Sequence, residues 1–294
     1  MRVTQGMLAN NSLSYLSESY SKLDKYYKQL DSGKKISKPS EDPVIAIKGI
    51  RYRADLTKVE QYERNASEAH GWIDSADDAL NQATKALQKI RELVTGAANG
   101  TNTKDELNAS GQEIKQLMDH IATLGNTMYG EKYIFSGTST DNKPIDTTSN
   151  PPQKNVGVNN DAVEIEVSNG VKLKVNADID SIFTNDQFAA LQKMVTDLTS
   201  GADTFSGDNI TTVDNILNQF TTARTQLGAV DNRLTMIDDR IASQKVISKS
   251  VLSENEDAEA EEVITNLKTQ EAVHRAALAV SARVIQPTLL DFLR

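Results

Sequence analysis

The residues best suited to hold a metal or move a proton are three histidines, His70, His120 and His274, and no cysteine accompanies them. No two stand at the short interval that puts two ligands on one helix face, so they read as surface or seam histidines. Asp77-Asp78 and Asp238-Asp239 could be posed as acid and base. Neighbours on a helix point apart, so these pairs read as solvated faces. Gly96-Ala-Ala-Asn-Gly100 follows a helix where a dinucleotide loop follows a strand, and no Gly-x-x-x-x-Gly-Lys-Ser/Thr run occurs. Nucleophile, metal and phosphate constellations are all missing, which points away from an enzyme and away from any cofactor.

One polar cluster remains: Lys34, Lys35 and Lys38, inside a joint that runs from Leu30 to Leu56. Leu30 closes an apolar stripe, and Gly33 offers a helix C-cap with lysines beside it. Asp42 can cap the next helix, and Pro43 suits its first position. The lysines can complement a helix C-terminus or meet an acidic partner surface.

The elements around the joint are helical. Leu13, Leu16, Tyr20, Leu23, Tyr27 and Leu30 alternate three and four apart, which is a heptad seam on a helix over about 7–30. A second helix is expected from Pro43 to about Thr95. Val59, Tyr62, Ala66, Ala69, Ile73, Ala76, Leu80, Ala83, Leu87, Ile90 and Val94 keep the same alternation, and Ile47, Ile50 and Ala54 sit in a shifted frame. Such a helix is roughly 80 Å long, which calls for an elongated molecule. Gly96 to Lys104 turns the chain into a helix carrying Leu107, Ile114, Leu117, Ile121, Leu124 and Met128, folded back antiparallel.

From Glu131 to about Asp186 the pattern changes. Tyr133-Ile134-Phe135 reads as a short strand and 138–155 as loop. Val163–Val167 and Val171–Val175 alternate with period two around Ser168-Asn169-Gly170, with glutamates facing lysines across a hairpin. Helix returns over 186–200. A second long seam follows: Val213, Ile216, Phe220, Ala223, Leu227, Val230, Leu234, Ile237 and Ile241. Acidic residues gather between Glu254 and Glu262, a last helix runs to about Val284, and Pro287 breaks it before an apolar tip.

Together these give a mainly α fold: an elongated coiled-coil or helical bundle formed by both chain ends, with a small β-rich insertion in the middle. Three parts are expected. Residues 1–42 and 255–294 make a terminal coiled coil, 43–132 and 186–254 a central helical rod, and 133–185 an outer insertion. Two short terminal helices cannot cover their own apolar faces. The candidate assembly residues are therefore Leu13, Leu16, Tyr20, Leu23, Tyr27, Leu30, Lys34, Lys35 and Lys38 at one end, and Leu267, Leu278, Ile285, Leu289, Leu290, Phe292 and Leu293 at the other. A net charge of -9 argues against nucleic acid. The absence of an apolar run near roughly 20 residues argues against membrane insertion, and the absence of a secretory signal points to the cytosol.

Leu30-Asp-Ser-Gly-Lys-Lys-Ile-Ser-Lys-Pro-Ser-Glu-Asp-Pro-Val-Ile-Ala resembles the N-terminal signature of the flagellin family, with Asp31 where serine is usual. Gln61 to Leu80 is similar to the family segment that follows, and Ala223-Arg224 through Asn232-Arg233-Leu234 and the ending Leu293-Arg294 resemble its C-terminal helix. Glu41-Asp42-Pro43, the run Tyr133 to Thr138 with Pro144 after it, and the single small insertion favour members that sit at the hook–filament junction. The resemblance implies a structural adaptor that assembles as a ring, with terminal helices inside and the insertion outside. Its implied partners are further copies of itself, a hook-associated protein on the hook side, flagellin or the next flagellar protein on the filament side, and a cytosolic export chaperone on the C-terminal segment. It also implies an extracellular, flagellar location reached through the type III route without a cleaved signal peptide. A minor filament flagellin is the alternative within the family, and a cytosolic coiled-coil scaffold the alternative outside it.

Overall fold

The computed structural model describes residues 5–99, 102–200 and 207–285. The described chain is mainly helical: α1 (Gln5–Ser32), α2 (Pro43–Ala97), α3 (Lys104–Leu124), α4 (Ile179–Ile182), α5 (Asn185–Thr199), α6 (Asp208–Glu256) and α7 (Ala260–Ile285). Three antiparallel hairpins lie between α3 and α4: β1 (Met128–Tyr129) with β2 (Lys132–Tyr133), β3 (Ile145–Asp146) with β4 (Gln153–Lys154), and β5 (Glu164–Ser168) with β6 (Val171–Lys174). The chain forms two compact units, residues 59–243 and residues 1–58 with 244–294. Among the described residues no helix is long and apolar enough to cross a membrane.

In the unit of residues 59–243 the two long seams do what their spacing requires. Ala66, Ala69, Ile73, Ala76, Leu80, Ala83, Leu87, Ile90 and Val94 of α2 are buried, and so are Val213, Ile216, Phe220, Leu227, Leu234, Ile237 and Ile241 of α6. Alanine at so many seam positions lets the helices approach closely. Polar ties flank the seam and fix an antiparallel register. His70 lies between Asp231 and Asp238 (3.2 and 2.6 Å), and Arg224 donates twice to Asp77 (2.9 and 3.2 Å). Arg91 pairs with Asp214. The neighbouring carboxylates do point apart: Asp77 takes Arg224 while Asp78 accepts from Gln82.

Helix α3 starts at a capping box, Thr103 with Glu106, and packs on α5, whose own box is Thr184 with Gln187. The insertion is pinned by aromatics. Phe183 meets Phe135 and Phe220 edge-on at 5.2 and 5.3 Å between ring centres. The β5–β6 hairpin pairs Glu164 with Lys174 and Glu166 with Lys172, as the alternation requires, and Gly170 turns it at φ 70°.

Local expectations need correction. Met128 is not on the third helix: α3 ends at Leu124 ahead of the Gly125 cap, and Met128 pairs with Tyr133 in β1. Tyr133-Ile134-Phe135 is not one strand. The ladder ends at Tyr133, because Ile134 and Phe135 are both fully buried and successive strand residues cannot face the same way. The stretch 138–155 is not all loop: β3 and β4 pair within it, and fully buried Ile145 anchors them against Gly125, where a Cβ would stand 2.2 Å from Ile145 Cδ1. A short helical turn, α4, precedes α5 where the sequence pattern shows no helix. Asp178 caps it by accepting from the Asp180 N–H, and it carries Ile179 and Ile182 into the core.

Candidate assembly interface

In the other unit, α1 and α7 pack antiparallel, and few apolar side chains are buried between them. Leu23 meets the α7 side that buries Val263 and Leu267, and buried Ser19 accepts from Gln270 Nε2 at 3.0 Å with His274 Nδ1 at 3.1 Å. The Tyr27 hydroxyl donates to Glu271 at 2.9 Å, and that bond raises its pKa.

The joint between α1 and α2 closes as its sequence chemistry dictates. Gly33 takes φ 66° and ends α1 with its N–H on the Gln29 carbonyl. Ser37 and Glu41 bridge the turn, with the Ser37 N–H donating to the carboxylate at 2.8 Å and lowering its pKa. Asp42 then caps α2 by accepting from the N–H groups of Val44 and Ile45 at 2.9 and 3.1 Å.

This joint is matched by the break between α6 and α7, which no glycine or proline marks. The two backbones form an antiparallel bridge at Lys34 and Asp257. The Lys35 N–H donates to the Glu256 carbonyl at 2.7 Å, and the Ala258 N–H to the Gly33 carbonyl at 2.9 Å. Lys34 Nζ reaches Asp257 at 2.6 Å, which raises the lysine pKa and lowers that of the aspartate. Glu256 is the buried member: its carboxylate accepts from Arg53 at 2.7 Å and lies 3.6 Å from Lys34. It occupies the space over Gly49, where a Cβ would stand 2.4 Å from Oε1. Asn255 Nδ2 donates to the Ile45 carbonyl at 3.0 Å, and Lys35 Nζ to the Glu254 carbonyl. Two chain breaks far apart in sequence thus satisfy each other's backbone groups.

The sequence-predicted residues fall into distinct groups. Leu13, Tyr20, Tyr27, Leu30 and Leu278 are exposed, at 57, 69, 51, 42 and 47%. Leu16 is half-buried, whereas Leu23 and Leu267 are consumed in the α1–α7 contact. Lys34 and Lys35 are engaged in the clasp, and Lys38 has no side-chain partner among the described residues. Ile285 ends α7, its side chain lying outside the described set, as do Leu289, Leu290, Phe292 and Leu293 entirely. Sequence reasoning missed Glu256, Arg53, Asn255 and Gly49 as clasp members. Glu256 was visible as one of several acids; nothing local distinguished it from its neighbours.

A model of the bacterial flagellin N-terminal helical region matches residues 3–140, and one of the C-terminal helical region matches 210–293. The chain belongs to the flagellin family. Members of this family are structural components of the bacterial flagellum, so the chain is a structural protein and not an enzyme. It is 29% identical to a flagellin of Bacillus subtilis over 252 residues, 80% of each chain. It is 28% identical to flagellar hook-associated protein 3 of Escherichia coli over 146 residues, 49% of this chain and 46% of that relative, so the match spans about half of that protein. Its fold is similar to the crystal structure of the flagellar junction protein FlgL from Legionella pneumophila, with TM-score 0.59 and 13% identity over 71% of this chain and 100% of that one.

Proposed function

We propose that the chain is a structural adaptor at the hook–filament junction, assembling as a ring between the two. The observation that carries this reading is the likeness in fold to a junction protein along that protein's whole length, with a single small insertion between the helical halves. The sequence match to hook-associated protein 3 supports it. In the mechanism, the terminal helices pack against neighbouring subunits and gain order there. The α1–α7 contact supports this, because it buries few apolar side chains and leaves Leu13, Leu30 and Leu278 exposed.

The division into terminal coiled coil (1–42 and 255–294), rod (43–132 and 186–254) and insertion (133–185) belongs to this proposal, as do a hook-associated neighbour on one side and flagellin on the other. So do an export chaperone on the C-terminal segment and passage through the type III route to the cell exterior. A second reading, a filament flagellin, is favoured by the longer match to the Bacillus subtilis protein. Deleting the gene separates the two. Loss of a junction adaptor leaves hooks without filaments and flagellin shed into the medium, whereas loss of a minor flagellin leaves filaments on their hooks.

A further inference from the structure

A groove lies beside the clasp. A cavity of about 170 Å³ opens between the joint and the first turns of α2, lined by Ile36, Pro39, Ile45 and Ile50 together with Lys38, Arg53 and Glu256. Ile50 continues into an apolar stripe on α2: Val44, Ile47 and Ile50 are exposed at 61, 69 and 67%. Lys34 already faces Glu256 and Asp257, and Arg53 faces Glu256, so Lys38 is the lining cation without an ion pair among the described residues. The complementary surface is on the same chain. The first turn of α7 presents exposed Glu261 and Glu262, whose carboxylates also have no partner among the described residues, next to Ile264 at 41% exposure.

We propose that this groove receives the first turn of α7 from a second copy of the chain, with Glu261 or Glu262 answering Lys38 and Ile264 lying on the stripe of Val44, Ile47 and Ile50. The inference rests on the assembly reading above and names its contact. Both surfaces are exposed in the single chain, and they match in charge and apolarity. They are different patches, so each copy offers one groove and one turn, and the contact repeats head to tail instead of stopping at a pair. The cavity admits one or two side chains, which makes it an orienting contact that accumulates through an assembly.

The chain lacks cysteine, so a disulfide between two copies can form only through the introduced residues. Lys38→Cys and Glu261→Cys chains, separately tagged and co-expressed in the flagellated cell, should yield a mixed dimer on oxidation of intact flagella, and neither alone should. The double variant Lys38→Cys/Glu261→Cys should yield a ladder of multimers. Lys38→Glu should lower the amount recovered with flagella, and adding Glu261→Lys and Glu262→Lys should restore it. Recovery of both cysteine variants without a dimer, a product that stops at the dimer in the double variant, or capture of a different protein by Lys38→Cys overturns the contact while leaving a junction location intact. A mixed dimer from protein spread along the filament keeps the contact and overturns the junction reading.

Discussion

Lys34 and Asp257 meet twice: their backbones form an antiparallel bridge, and their side chains pair at 2.6 Å across 223 positions of sequence. Both terminal helices leave from this point. Its polar groups are satisfied only when the two chain ends are together, so the clasp couples the folding of one end to the other.

Gly49 and Glu256 should show a reversal of sign. Alanine in a helix interior is favoured over glycine by about 1 kcal/mol. Here the added methyl would displace Glu256 from Arg53 and Lys34, so Gly49→Ala should destabilise the native chain by about 1 kcal/mol. In a Glu256→Ala background the same change should stabilise it. Equilibrium unfolding of the four chains in urea checks this, and simple additivity would contradict it.

The clasp should weaken at both extremes of pH. The Asp257 pKa is held below its ordinary 3.8, first by Lys34 and then by Ser253. The open form therefore takes up the proton first. The contribution is complete above about 4 and is lost as pH falls through the lower folded value. The Lys34 pKa is raised above its ordinary 10.5, so its contribution is complete below that pH and is lost as pH climbs through the folded value. Amide signals of Gly33, Lys35 and Ala258 followed by NMR between pH 2 and 12 should report both transitions, and Asp257→Asn should remove the acid one.

Phe183→Ala should cost about 3–5 kcal/mol, the range for deleting a buried aromatic. Its ring touches both Phe135 and Phe220, so the loss falls on the insertion and on α6 together. Unfolding in denaturant measures it. A cost below about 1 kcal/mol would mean that the insertion does not depend on this stack.

Amide exchange in the free chain should divide the helices by burial. The seam residues Leu80, Leu87 and Leu234 are fully covered, and their regions should exchange slowly. The α1–α7 pair has little covered apolar surface and should exchange faster. Equal protection along all four helices would contradict the proposal that the ends gain order from neighbours. Deleting 289–294 should leave this exchange pattern of the 59–243 unit unchanged while abolishing incorporation into flagella.

Much of this was legible in the sequence for a physical reason. Val59 to Val94 and Val213 to Ile241 repeat every three and four residues because a two-helix seam needs that spacing, and the structure buries those positions except for half-buried Tyr62 and Val230. Gly33, Asp42 and Pro43 act locally, so the joint could be read from its own residues. Glu256 could not. Its burial depends on Arg53, Lys34 and the missing side chain of Gly49, none of which is near it in sequence. Ile134 and Phe135 misled for a similar reason. A strand-like run was pulled out of its ladder because both side chains had a core to enter.

Immunogold labelling of intact flagella with antibody to the insertion reads out where the protein sits. A junction adaptor gives one narrow band where the hook meets the filament. Gold distributed along the filament would contradict it.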